Sequence, residues 1–208
     1  TPGCQPCDQT VNRIPPWVLV SAGAAPVLLS GGWTLAAARQ PHGYDAVRDT
    51  ISALAARGAT DRWVMTAALA GLGACHVITA TGLRPARGAG RMVLAFGGVA
   101  TVLVAAFPEP SQGGSEAYTV AASLAFTSLA IWPAFAVRRV PGAPLLTPTA
   151  CVAATAVLLG LMTWFAVELR GGQTGSAERA AAGAQALWPL AVVLSTRRGP
   201  RPQPLGRT

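Results

Sequence analysis

Lysine is absent from this 208-residue chain, and charged side chains of any kind make up only 12% of it. With 51% of the residues hydrophobic, so little charge excludes an ordinary soluble globular domain, and lipid is the expected solvent. Aromatic residues are sparse at 6%, and no basic stretch is interleaved with them as single-strand binding requires, so no nucleic-acid partner is expected. Only two histidines occur, His42 and His76, too few for a histidine-rich zinc centre or for a bis-histidine haem within a membrane. Of the four cysteines, Cys75 and Cys151 fall in apolar segments and read as small hydrophobes, while the Cys4-x-x-Cys7 pair lacks the second pair that would complete a zinc site. No metal and no cofactor is therefore expected. A phosphate loop, a nucleophile elbow and a zinc-protease helix are also missing, and Gly171-Gly172-Gln173-Thr174-Gly175 reads as a helix connection. The first sixteen residues hold no apolar run, so no secretory signal of the usual design is expected and the first membrane helix is expected to direct insertion.

Long apolar segments are what the chain does have. Six emerge, approximately Trp17 to Ala38, Trp63 to Leu83, Met92 to Phe107, Ala117 to Val137, Thr149 to Val167 and Ala180 to Thr196, each bounded by charge, proline or glycine. A crossing takes about 20 apolar residues, so six crossings nearly exhaust the length. The third and sixth segments are the shortest, which keeps five crossings as the alternative. The expected fold is all-α: a polytopic transmembrane bundle of six helices over residues 15–198, with residues 1–14 and 199–208 as disordered tails.

Charge assigns the orientation. A cytoplasmic amino terminus gives that side Arg13, Arg84, Arg87, Arg91, Arg138, Arg139, Arg197, Arg198, Arg201 and Arg207, ten arginines against one acid, Asp8. The other side receives Arg39, Arg48, Arg57, Arg62, Arg170 and Arg179 together with seven acids, and the positive-inside rule then places both termini in the cytoplasm. An arginine-only, alanine-rich composition points to a GC-rich bacterial genome, so the expected location is the bacterial plasma (inner) membrane, multi-pass.

The connection from Arg39 to Arg62 is the longest and carries internal pattern. Asp45 is positioned to cap a short helix in which Val47, Ile51 and Leu54 recur at four- and three-residue spacing, with Gly58 as a stop, lying on the outer surface or folded back over the bundle. Tyr44, Asp45, Arg48, Asp49 and Ser52 on this loop, with Glu116, Glu178 and Arg179 at helix ends, form a candidate polar cap. Such a cluster clamps helices together or holds a polar head group; nothing in the spacing pairs two particular carboxylates for acid and base work. The clearest ionisable group within the membrane is His76, on the order of 10 Å from the cytoplasmic end of the second segment. It reads either as a neutral, hydrogen-bonded packing residue or as a ligand-binding or proton-handling one. Pro26, Pro133 and Pro189 are expected to kink their helices, and Ala67-x-x-x-Gly71 with Gly73, Gly97 and Gly98 offers small surfaces for close helix packing.

Tyr44-Asp45-x-x-Arg48-Asp49-x-Ile51-Ser52, Asp61-Arg62-Trp63-x-Met65, Gly175-x-x-Glu178-Arg179 and the two Trp-Pro pairs, Trp132-Pro133 and Trp188-Pro189, stand in an order that resembles the bacterial and archaeal membrane family catalogued as domain of unknown function 998. The resemblance covers about residues 15 to 198 and implies a multi-helix membrane protein without an assigned activity. More distantly the chain resembles the six-helix eukaryotic family that includes DRAM and Sfk, where an Ile-Ser element also follows the first helix. Members of the first family often carry a histidine where the fourth helix begins; Glu116 and Tyr118 stand there in this chain, so no role of that imidazole is implied.

The functional expectation is a non-enzymatic membrane protein that binds membrane lipids or a protein partner, a homo-oligomer included. A small transporter or channel-like protein and a membrane-embedded enzyme acting on lipid head groups are the alternatives. Geometry separates them: transport needs a polar cavity reaching His76, catalysis needs ionisable groups converging on one pocket, and packing needs neither.

Overall fold

The computed structural model describes residues 14–41, 43–110 and 114–197, and every regular element among them is helical. In chain order these are α1 (Pro16–Ala37), α2 (Ile51–Ala55), α3 (Trp63–Gly82), α4 (Gly88–Ala106), α5 (Glu116–Ala136), α6 (Pro148–Glu168) and α7 (Thr174–Arg197), with a single 3-10 turn, Pro144–Leu146, ahead of α6. Cys4, Cys7, His42 and most of both expected tails lie outside the described residues. Five helices, α1, α3, α4, α5 and α6, are long and apolar enough to cross a membrane, so the chain is a multi-pass helical membrane protein. The expected sixth crossing, α7, is the longest of these helices at 24 residues, but it is less apolar than the other five and is not among them.

Local chemistry sets where the helices begin and end. Proline at the first position opens α1 and α6, where its missing N–H has no partner to lose. Ser115 opens α5, its hydroxyl accepting the Tyr118 N–H at 3.3 Å. The far end of α3 is closed by Arg91 of the next helix, whose guanidinium donates to the carbonyls of Ala80 at 2.7 Å and Thr81 at 2.6 Å. Arg91 therefore has to sit inside α4, and that helix starts at Gly88 rather than at the expected Met92.

Each long helix packs on the next in sequence and α7 returns to α1, so the six form a closed ring. Small residues allow the close approaches. Where α3 crosses α4, Gly73 and Gly98 face each other so nearly that a Cβ on either would meet the carbonyl oxygen of the other. Large apolar side chains, among them Trp17, Val27, Met92, Phe96, Val152 and Val167, cover the outside of the ring as a lipid solvent requires. Pro26, Pro133 and Pro189 sit inside continuous helices.

The short helix differs from its expected form. Asp45 does not cap it: one carboxylate oxygen accepts the Val47 N–H at 2.9 Å, and Asp49 reaches back to the Asp45 N–H at 2.7 Å, which winds residues 45–49 into a turn. Thr50 is the cap instead, accepting from the Ala53 N–H at 3.0 Å. Val47 stays about half exposed, whereas Ile51, Leu54 and Ala55 are buried, so α2 is folded over one end of the ring against α1, α3 and α7.

Gly73→Ala is expected to destabilise the bundle by about 1–3 kcal/mol through overpacking, seen as a lower midpoint in thermal or SDS unfolding of the detergent-purified protein. Gly31→Ala, whose added carbon meets nothing within 4 Å, should leave the midpoint unchanged or slightly raised.

Candidate functional site

The start of α7 holds the loop that carries α2. Gly175 is buried because that loop lies directly on it; a side chain there would meet the Ala46 and Asp49 carbonyls. Next, the Ser176 N–H, a first-turn donor with no partner inside its helix, reaches the Val47 carbonyl at 3.1 Å. Glu178 and Arg179 then take opposite polarities of the same loop. Glu178 is only 2% exposed; its carboxylate accepts from the Ile51 N–H and from the Ser52 hydroxyl at 2.8 Å, closing the first turn of α2 from outside. Arg179 donates to the carbonyls of Ala46 at 2.7 Å and Asp49 at 2.9 Å and to the Tyr44 hydroxyl, with its guanidinium 5.9 Å from the Tyr44 ring centroid. We call this arrangement the latch. Burial pushes the Tyr44 hydroxyl above its ordinary value of 10.0, and the neighbouring Arg179 offsets part of the rise.

Of the expected polar cap, Tyr44, Ser52, Glu178 and Arg179 converge, and Asp49 joins through its backbone carbonyl. Asp45 and Arg48 remain on the exposed turn, paired with each other at 3.7 Å. Glu116 does not join: it is exposed in the first turn of α5, where a carboxylate is favoured by the helix dipole without any partner.

Beneath α2 the ring encloses a cavity of about 60 Å³. At the latch end it is lined by Ser52, Glu178 and Tyr118, and deeper in by Thr101, Gln185 and His76, with Leu69, Leu72, Ala125 and Leu129 among the apolar walls. Packing fixes the depth of His76. Gly98 abuts the His76 Cβ and the adjacent Gly97 abuts Leu129, so His76 and Leu129 share a level. Tyr118, beside Ser52 and Glu178, stands eleven residues from Leu129 on α5, which puts the latch about 16 Å from the imidazole at 1.5 Å per residue.

His76 differs from the other polar groups on this wall. Thr101 donates to the Gly97 carbonyl at 2.8 Å and Gln185 to the Phe126 carbonyl at 3.0 Å. His76 is 1% exposed and neither ring nitrogen has a hydrogen-bond partner among the described residues. Leaving a buried polar group unpaired costs about 1–3 kcal/mol, which a core leucine would avoid. Thr101, Tyr118 and Gln185 were not picked out from the sequence. Their signal lay in the period, since 101 and 104 on α4, 118, 122, 125 and 129 on α5 and 178, 182 and 185 on α7 each trace one helix face.

Residues 22–195 match the family described as "Protein of unknown function (DUF998)". No curated protein and no solved structure matches the chain.

Two predictions follow from the latch. Glu178→Ala should cost about 1–3 kcal/mol and speed amide hydrogen exchange at Ile51 and Ala53, whereas Glu178→Gln, which keeps an acceptor oxygen, should lose less. Arg179→Ala should accelerate the same amides, and the double variant should fall short of the sum because both side chains hold one loop. Tyr44 ionises less readily folded than unfolded, so its contribution is intact below pH 10.0 and lost as the pH rises beyond that value. Thermal melts between neutral and strongly alkaline pH should show this decline, flattened in Tyr44→Phe.

Proposed function

The chain belongs to that family of unknown function, and we propose that it is a non-enzymatic membrane protein that takes the head group of a membrane amphiphile into the chamber beneath α2. The observation that carries this reading is His76, a fully buried imidazole on the wall of a mostly apolar cavity, with neither nitrogen partnered among the described residues. Latch groups support it differently: Glu178 and Arg179 already have protein partners, so they act as a lid and leave recognition to the chamber. Acid and base catalysis is disfavoured because His76 stands at the opposite end of the cavity from Glu178 and Tyr118, and Glu178 is committed to Ile51 and Ser52.

A transport reading draws on the same cavity, since it runs from the latch to His76. A pH-dependent flux in proteoliposomes, abolished by His76→Ala, would favour it over simple binding.

The membrane arrangement belongs to this proposal. We take α7 as the sixth crossing, because it occupies the ring position between α1 and α6 and its 24 residues reach about 36 Å. Both termini then share the cytoplasmic side of a bacterial plasma membrane, with Arg84, Arg87, Arg91, Arg138 and Arg139, and the latch faces outward. Alkaline phosphatase fused between Pro108 and Glu116 should be active outside the cytosol; activity confined to the cytosol would reverse the orientation.

Native mass spectrometry of protein purified with its membrane lipids tests the binding claim. One small amphiphile per chain should accompany the wild type and be lost from His76→Phe and from the chamber-filling Ala125→Phe. Equal retention by both folded variants would defeat the proposal.

A further inference from the structure

Resting on the chamber reading above, we infer the class of ligand and the way it lies: a single-chain amphiphile whose head group both donates and accepts a hydrogen bond, a hydroxyl or an un-ionised carboxyl, bound head-inward on His76 with its chain leaving between α5 and α7. A neutral imidazole offers one N–H donor and one bare nitrogen acceptor. In His76 neither has a partner among the described residues. The group that satisfies the two together is one that donates and accepts at a single site.

Other head groups meet opposition. An ammonium would sit at the level of His76 and Leu129 without a carboxylate, since Glu178 is at the latch end and already accepts from Ile51 and Ser52. A phosphate or carboxylate anion would share the chamber with the Glu178 side chain, and the nearby Arg179 is committed to the Ala46 and Asp49 carbonyls. Volume sets how much of the ligand enters. A volume of about 60 Å³ is room for about two waters, so it takes one head group with its first carbon or two, and a single chain has to leave the chamber rather than lie along it.

The exit is set by α6. Up to Leu158 it buries Cys151, Ala154 and Leu158 against its neighbours; from Leu159 to Glu168 none of its residues is buried. That half lies alongside the part of the chamber bounded by α5 and α7, where Ala122, Phe126 and Ala182 line the cavity yet remain partly exposed. Phe165 of α6 leans on Phe126 there, 5.5 Å between centroids. The ligand therefore reaches the chamber from the bilayer, sideways, and the latch need not open.

The test uses the full chain in nanodiscs, with His42→Gln so that ¹⁵N-histidine reports His76 alone. Decane, 1-decanol and decyltrimethylammonium are compared at equal mole fraction. Decanol should shift both ring nitrogen resonances and bind about tenfold more tightly than decane, a preference that His76→Leu erases and His76→Gln, which keeps a donor and an acceptor, largely retains. If decane binds as well as decanol, the head-group inference is wrong while the chamber reading survives. If decyltrimethylammonium binds best and Glu178→Gln removes it, the head lies at the latch and the inference is overturned. If no probe shifts the ring resonances or the melting midpoint, the chamber reading fails with it.

Discussion

Backbone laid across the mouth of a helical bundle brings amides and carbonyls where few partners exist, and each must find one. In this protein two neighbouring side chains supply them. Glu178 accepts from the amide side of the 46–52 loop and Arg179 donates to its carbonyl side, while Gly175 removes the bulk that would hold the loop away. The three positions work only as a set, because an acceptor, a donor and a flat spot at one helix end together define a single seat for the loop. The chamber depends on that seat, since α2 is what covers it.

The chamber itself follows from how the ring closes. Glycine and alanine bring α1, α3 and α4 close enough for backbones to touch, as at Gly73 and Gly98, and this packing draws material toward the seams. The centre, facing α5 and α7, is left less filled. On its wall stands the His76 imidazole, with neither ring nitrogen bonded among the described residues.

Much of the scaffold was readable beforehand. Apolar length located α1, α3, α5 and α6 to within about a residue at each end, because bilayer thickness fixes how long such a run must be. The two helices read too short, α4 and α7, are those that carry arginine or glutamate within their first two turns serving a neighbouring element: Arg91 closes α3, and Glu178 and Arg179 hold the loop. Charge normally marks a helix end, and here it marks a contact between helices, which hydropathy does not distinguish. The cap was legible as a set of residues but not as a geometry. Glu116 looked equivalent to Glu178 in sequence, and only the ring order puts one beside α2 and the other in solvent. Gln185 and Thr101 carried no signal beyond their place on a helix face, because uncharged polar residues within apolar runs are common.

The separation along the chain between the loop and its clasp has a bearing on biosynthesis. Ile51 and Glu178 lie 127 positions apart. A ribosome adding roughly 5–20 residues per second would expose the first of them for about 6 to 25 s before the second is made. Throughout that interval α2 has no acceptor for its leading amide, and the half-built ring offers its open flank to whatever lipid surrounds the insertion site. The last helix to emerge thus closes the ring and seats the loop in one step, so the compartment is sealed only when synthesis of the bundle is nearly complete.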